Sequence, residues 1–193
     1  MTAALDCFAE RGFAATRLDD IAARAGVTKG TLYLYFPSKK ELFKAVVRQF
    51  LVPLLDSRET EDADPGVTSA ELIRRLLLSV PETLAGSPVA AIPRLLLAEA
   101  HNFPDLARFY FEEVPLRARR RVARLVRRGM ERGEFRAIDP DHAFYCAVSP
   151  LIMTVLWRSV FGPFDPEAPD LAAVARAQSD ILLNGLLRRE PPE

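Results

Sequence analysis

Apolar residues recur three and four apart along nearly the whole chain, and no stretch keeps the apolar-polar alternation that a half-buried strand needs. That pattern restricts the fold to packed helices. Glycine, proline and capping residues cut it into segments. Helices are expected near 2–11, ending at Gly12; 17–25, stopped by Gly26; and 28–35, closed by Phe36-Pro37. Another runs from Ser38 to about Pro53, with Ser38 and Glu41 forming an S-x-x-E capping box. Further helices are expected near 68–85, 89–101, 104–133 with a bend at Pro115, 140–161 after an Asp139-Pro140 start, and 170–189. SRETEDADPGV at 57–67 is polar and holds Pro-Gly, so it reads as a loop. The fold class is all-α, with about nine helices, and 193 residues suffice for a core without disulfides.

The 26 basic and 26 acidic residues leave the chain formally neutral, so a nucleic-acid partner has to be met by a local patch. Residues 1–50 supply one: eight Lys/Arg against five Asp/Glu give a local charge of about +3. Cys7 and Cys146 read as buried thiols in a reducing compartment. His101 and His142 lack metal-ligand spacing, and there is no Gly-rich phosphate loop and no H-E-x-x-H, so no metal or cofactor is expected. No apolar run reads as long enough to span a bilayer and no signal peptide opens the chain; a cytoplasmic protein without a membrane partner is expected.

The stretch RLDDIAARAGVTKGTLYLYFPSKK (17–40) carries the chemistry. Ile21, Ala22, Val27 and Leu32 give two short helices small apolar faces, backed by Leu5, Phe8 and Phe36, and Gly26 sits in the tight turn between them. This is the helix-turn-helix arrangement. Thr28, Lys29, Gly30, Thr31, Tyr33 and Tyr35 make the second helix slim and rich in hydroxyls, which suits phosphates and base edges in a major groove. Lys39 and Lys40 open the next helix, where ammonium and free N–H groups together hold a phosphate. The competing reading is a small three-helix core with a solvated face; such a face normally carries Glu, Lys and Gln rather than Thr and Gly.

FAERGFAATRLDDIAARAGVTKGTLYLYFPSKKELFKAVV resembles the DNA-binding domain of the TetR family of transcriptional regulators, over about residues 3–47. RLLLAEAHNFPDLARFYFEEV is similar to the ligand domains of the AefR-like subgroup. The resemblance implies a helix-turn-helix domain at 1–47 and an effector-binding and dimerisation domain at 48–193. It implies that Thr16 and Arg17 contact backbone phosphate, that Lys29, Gly30, Thr31 and Tyr33 approach bases and phosphates with Thr28, and that Leu34 and Tyr35 form the variable end of the reading surface. Lys39 would hold a flanking phosphate. Family members usually carry a basic arm and a further helical turn before the residues MTAALDCF that open this chain, so no minor-groove contact from an arm is expected of the residues given. The implied function is a repressor that binds near-palindromic double-stranded operator DNA as a homodimer and is released by a small apolar or amphipathic effector.

The last two helices fit a dimer. DHAFYCAVSPLIMTVLWRSVFG is apolar almost all round, which means burial on more than one side. Val148, Ile152 and Val155, with Val174, Gln178, Ile181, Leu182 and Gly185, are the expected interface, against the alternative of a monomer core. Glu99 shares a helical face with Ile92, Leu95 and Leu96, so its carboxylate either faces an effector cavity or pairs with an arginine such as Arg108. Phe109, Tyr110, Tyr145, Met153 and Trp157 are the candidate apolar lining of that cavity. The run RARRRVARLVRR (117–128) places Arg117, Arg121, Arg124 and Arg128 on one face, read as the solvated side of an amphipathic helix rather than a second nucleic-acid surface. Two other functions stay open: an architectural DNA-binding protein without an effector, and a helical enzyme using Glu99 as general base.

Overall fold

The structure is a computed structural model, described here for residues 1–56, 62, 64–84 and 87–187. Among these residues there are eleven α-helices and no strand; Phe135 and Leu187 form one isolated antiparallel bridge. Two of the expected helices each break in two. The fourth gives α4 (Lys39–Phe50) and α5 (Val52–Asp56), and the 104–133 helix gives α8 (Pro104–Glu113) and α9 (Pro115–Glu131). The second break is sharper than the expected bend: Val114 leaves the helical region, as the residue before a proline is pushed to do. The expected 57–67 loop lies outside the described residues except for Asp62 and residues 64–67, and so do residues 188 and 189 of the expected last helix.

The chain forms two compact units. The first comprises Met1–Asp56 and Gly86–Leu116. It holds α1 (Thr2–Ala15), α2 (Leu18–Ala25), α3 (Lys29–Tyr35), α4, α5, a 3-10 turn at Pro88–Ala90, α7 (Ala91–Glu99) and α8. Its core is built on Phe8, Phe13 and Phe43, whose ring centroids lie 5.4–5.7 Å apart. All three are buried together with Leu5, Ile21, Leu42, Val46 and Val47. Each such ring pair contributes about 0.5–1.5 kcal/mol beyond the area it buries. Phe103, between α7 and α8, adds a fourth ring 4.8 Å from Phe13, so these two helices share the core of the N-terminal ones.

α1 does not end at Gly12. It turns there with φ 78°, ψ 172°, and resumes for one more turn to Ala15. A left-handed φ is cheap only for glycine. The helix caps appear, though only half of the expected capping box forms: Ser38 Oγ accepts from the Glu41 N–H at 3.2 Å while the Glu41 carboxylate pairs with Lys44, and Asp139 Oδ1 accepts from Asp141 and His142 N–H at 2.8 and 3.1 Å.

The second unit comprises Ser57–Ala85 and Arg117–Glu193. In it α6 (Ser69–Leu84) and α10 (Pro140–Phe161) both pack on α11 (Leu171–Leu186). Gly129 of α9 is required by contact: a Cβ there would lie 2.2 Å from the Phe135 ring. α10 carries Pro150, which lacks the N–H that would bond the Cys146 carbonyl one turn back. Gln178 of α11 repairs the gap, its Nε2 donating to Cys146 O at 3.1 Å and also to Ala147 O. α10 also corrects an expectation, since it is 22 residues long and holds an 18-residue window with a mean hydropathy of 1.4, the length and composition of a membrane span. A core or interface helix meets the same test.

The arginine face of α9 is solvated only in part, against the expectation. Arg121 is 3% exposed and forks onto the Asp62 carboxylate through two bonds of 2.9 Å. Arg128 donates to the carbonyls of Asp62, Asp64 and Val67. Planar guanidinium groups bind several acceptors at once, so a basic run of this kind becomes a strap-holding device. Arg124 and Arg127 do face solvent.

Candidate nucleic-acid interface

α2 buries Leu18, Ile21 and Ala22 and ends on Gly26 in the left-handed region, φ 68°. The Gly26 N–H bonds Ala23 O and the Val27 N–H bonds Ala22 O, the paired bonds of a Schellman stop. Val27 itself is exposed rather than packed between the helices as expected. Thr28 then caps α3: its Oγ1 accepts from the Thr31 N–H at 3.2 Å and lies 2.9 Å from Thr31 Oγ1.

α3 is anchored by one residue. Leu32 is 8% exposed, whereas Leu34 and Tyr35 are 80% and 70% exposed and Tyr33 is also open. A seven-residue helix with Gly and Thr in it is weak on its own, so an exposed face carrying two tyrosines and a leucine calls for a surface to lie against. Lys29 at its start is bonded to Asp19 of α2 at 2.9 Å, which raises its pKa, and its ammonium stands 5.6 Å from the Tyr33 ring centre. Arg17, just ahead of α2, is exposed. Thr28, Lys29, Gly30, Thr31, Tyr33, Leu34 and Tyr35 therefore lie together on one accessible helix beside Arg17.

Two of the expected phosphate ligands are employed differently. Thr16 is buried, and its hydroxyl is bonded to Gly12 O at 2.6 Å and Cys7 O at 3.1 Å. Lys39 reaches back to Ala14 O at 2.8 Å with its ammonium 4.7 Å from the Phe13 ring centre, and partial burial lowers its pKa against the opposing pull of Glu99. Both side chains hold the turn at Gly12–Thr16. A helix that restarts after a left-handed glycine leaves backbone groups without helical partners, and these side chains satisfy them.

Glu99 belongs to the same turn. Its partner is not Arg108: its Oε1 accepts from the Ala14 N–H at 3.1 Å and its Oε2 from Asn102 Nδ2 at 3.3 Å. The glycine in α1 signals that a neighbouring N–H needs an acceptor, but no local pattern tells that it comes from a residue 85 positions away.

The expected effector lining divides between the two units, with Phe109 and Tyr110 in the first and Tyr145, Met153 and Trp157 in the second. Phe109 lies under α4, with Lys44 and Arg48 at 5.6 and 4.9 Å from its ring centre. Burial pushes the Tyr110 phenol up to about 12. Tyr145, Met153 and Trp157 are exposed on α10; Tyr145 packs edge-on to Phe144, and Trp157 Nε1 donates to Asp165 at 2.9 Å. An open groove of about 530 Å³ runs beside the end of α3, lined by Tyr35, Phe36, Pro37, Glu41 and Arg48 among others.

The expected dimer residues divide. Val155 and Gln178 are buried within the second unit, so neither offers a surface; Val148, Ile152, Val174 and Leu182 are half-buried. Ile181 is 76% exposed, and Gly185 has open space where a side chain would be. The open face of α10 is the other one, carrying Tyr145, Met153 (60% exposed), Trp157, Val160 and Phe161. A helix that is apolar all round gives no phase, so its sequence does not tell which side meets its own protomer.

Known proteins agree with this architecture. Residues 1–46 match the model for bacterial regulatory proteins of the tetR family, and residues 71–184 match that for the AefR-like transcriptional repressor C-terminal domain. The HTH-type transcriptional regulator RutR of Escherichia coli K12 is 35% identical over 201 aligned residues, covering 95% of this chain and 81% of RutR. The structure of the SmeT–triclosan complex, SmeT being the repressor of a Stenotrophomonas maltophilia efflux pump, superposes with a TM-score of 0.75 at 26% identity, covering 100% and 96% of the two chains. The TetR-family repressor FadR of Thermus thermophilus, in complex with lauroyl-CoA, does so at 0.63 and 26% identity, covering 99% and 95%. With a family model spanning well over half of its residues, a whole-length relative at that identity and a helix-turn-helix of this geometry, the chain belongs to the TetR family of transcriptional regulators, with an AefR-like C-terminal region.

Proposed function

We propose that the chain is a ligand-responsive repressor that binds a near-palindromic operator as a homodimer. Residues 1–47 read DNA, and 48–193 carry the dimer and effector contacts. The observation that carries this reading is α3, a helix with Leu32 as its one buried residue, presenting Thr31, Tyr33, Leu34 and Tyr35 to whatever lies outside it. Hydroxyls and aromatic edges on a slim rod fit the major groove, with Arg17 and Lys29 beside the phosphates. Lys29 trades its bond to Asp19 for a phosphate oxygen at little cost, because the pair is exposed.

One such helix makes few base contacts, and two copies about one helical turn of DNA apart supply the rest. The apolar face of α10 with Ile181 of α11 supports pairing of two protomers there, since a face of that kind is rare on a lone protein. The SmeT and FadR structures, one holding triclosan and the other lauroyl-CoA, support a small apolar or amphipathic effector. Such a ligand releases the operator by binding more tightly to a conformer with altered reader spacing. Operator DNA sets the work in the cytoplasm.

The test is selection of duplexes from a random library by the wild-type chain. The reading expects one sequence with two inverted half-sites, bound by a dimer in sedimentation. Recovery of no preferred sequence, or of a single half-site bound by one protomer, overturns it.

A further inference from the structure

The turn from Gly12 to Thr16 leads directly into Arg17 and the reading helices, and it is held from three sides. Thr16 ties it to α1 through Cys7 and Gly12, Lys39 of α4 takes the Ala14 carbonyl, and Glu99 at the end of α7 takes the Ala14 N–H. Glu99 Oε1 also lies where a Cβ on Gly12 would meet it at 3.8 Å, so the carboxylate sits over the break in the helix. Asn102 steadies its other oxygen. Around it Phe103 packs on Phe13, Lys40 bonds Asp105 at 2.8 Å and Arg94 reaches Ala9 O at 3.4 Å. All of these groups lie in the first unit.

We propose that Glu99 is a positioning residue for operator recognition: by accepting the Ala14 N–H it fixes the tilt at which α2 and α3 leave the broken end of α1. Thr16 and Lys39 both bond carbonyls of the turn, and Glu99 is the group that takes the Ala14 N–H. A displacement of the end of α7 therefore pulls on the entry to the reader directly. The assignment makes Glu99 a transmission point, in place of a ligand contact or a general base. It rests on the operator reading above for its functional meaning.

The test uses the full chain as wild type, Glu99→Ala and Glu99→Gln, the last keeping an oxygen that can accept the N–H. The probes are the duplex enriched by the wild type and the same duplex with its half-sites one base pair closer or farther. A hydrogen bond to a charged group is lost in Glu99→Ala, so affinity for the best duplex should fall about tenfold. The preference for the best spacing over the shifted ones should flatten, and Glu99→Gln should recover it. Without DNA, the Ala14 amide should exchange faster in Glu99→Ala and the amide resonances of residues 17–35 should shift, again with recovery in Glu99→Gln. Wild-type spacing preference and an unchanged Ala14 amide in Glu99→Ala would overturn the assignment. So would an equal loss on every spacing without rescue by glutamine, the mark of a purely structural role. The amide measurement decides the assignment even where the wild type enriches no duplex, an outcome that removes the operator reading alone.

Discussion

α3 and α10 both leave large side chains in solvent, and they do so in opposite ways. α3 is seven residues long, anchored by Leu32, and mixes Thr, Gly, Lys and Tyr. α10 is 22 residues long, fixed along one side by Phe144, Ala147, Leu151 and Val155, and its open side is Tyr145, Met153, Trp157, Val160 and Phe161. A surface of hydroxyls and aromatic edges keeps partners on both counts: it can be solvated when free and bonded when bound. A surface of Met, Val and Phe gains only by exclusion of water. The first suits a partner that comes and goes, the second one that stays.

The comparison breaks most visibly at Met153. Met153→Glu puts a charge in the middle of the open α10 face without touching the protomer core, and burying it against a second copy costs several kcal/mol. Sedimentation should show monomers at concentrations where the wild type is dimeric, a shift of at least ~100-fold in dimer affinity, and operator binding should disappear with the dimer. A variant that stays dimeric assigns that face to something else. Tyr33→Ala addresses α3 in the same manner: operator affinity should fall by about 1–3 kcal/mol, with dimerisation and the thermal midpoint unchanged, in a titration at fixed salt. Ser38→Ala removes the cap of α4 and should lower unfolding free energy by about 1 kcal/mol, measured by denaturant, so that a loss of stability can be told from a loss of contact. Arg17→Ala should reduce the slope of log affinity against log salt by about 0.9, and should do so equally for operator and random DNA; a change in sequence preference would place Arg17 on a base instead.

The smallest effect is one of pH. The hydrogen bond from Lys40 holds the Asp105 carboxyl below the usual aspartate range. A lowered folded value means the stabilisation is complete above the unfolded value and is lost as pH falls through the folded one. The thermal midpoint should therefore drop on acidification below about pH 4, and less so in Asp105→Asn; equal slopes would show that the bond tying α4 to α8 contributes nothing.

The sequence reveals what local rules decide. Gly26 announces the turn, Thr28 and Ser38 the helix starts, and Asp139-Pro140 the start of α10, because each acts on backbone groups within three residues. The slim composition of α3 was equally readable. What could not be read was where long side chains go. Lys39 and Thr16 have the right chemistry for phosphate and are instead bound to carbonyls freed by the kink at Gly12. Arg121 looks like a solvated arginine until Asp62, on a distant segment, arrives to neutralise it. The spacing of Gln178 puts it on the expected dimer stripe, but a proline 28 residues earlier in α10 draws it inward. In each case the deciding partner is remote in sequence, and periodicity carries no information about it.

That last pairing reaches beyond packing. Because Pro150 deprives one carbonyl and a carboxamide from the next helix supplies it, the two positions form a lesion and its remedy. Replacing the proline with alanine would provide a backbone donor for the Cys146 carbonyl and leave the amide its bond to Ala147 alone, whereas removing the amide would take a donor from both carbonyls. Among related chains the proline and the glutamine should be found together or be missing together.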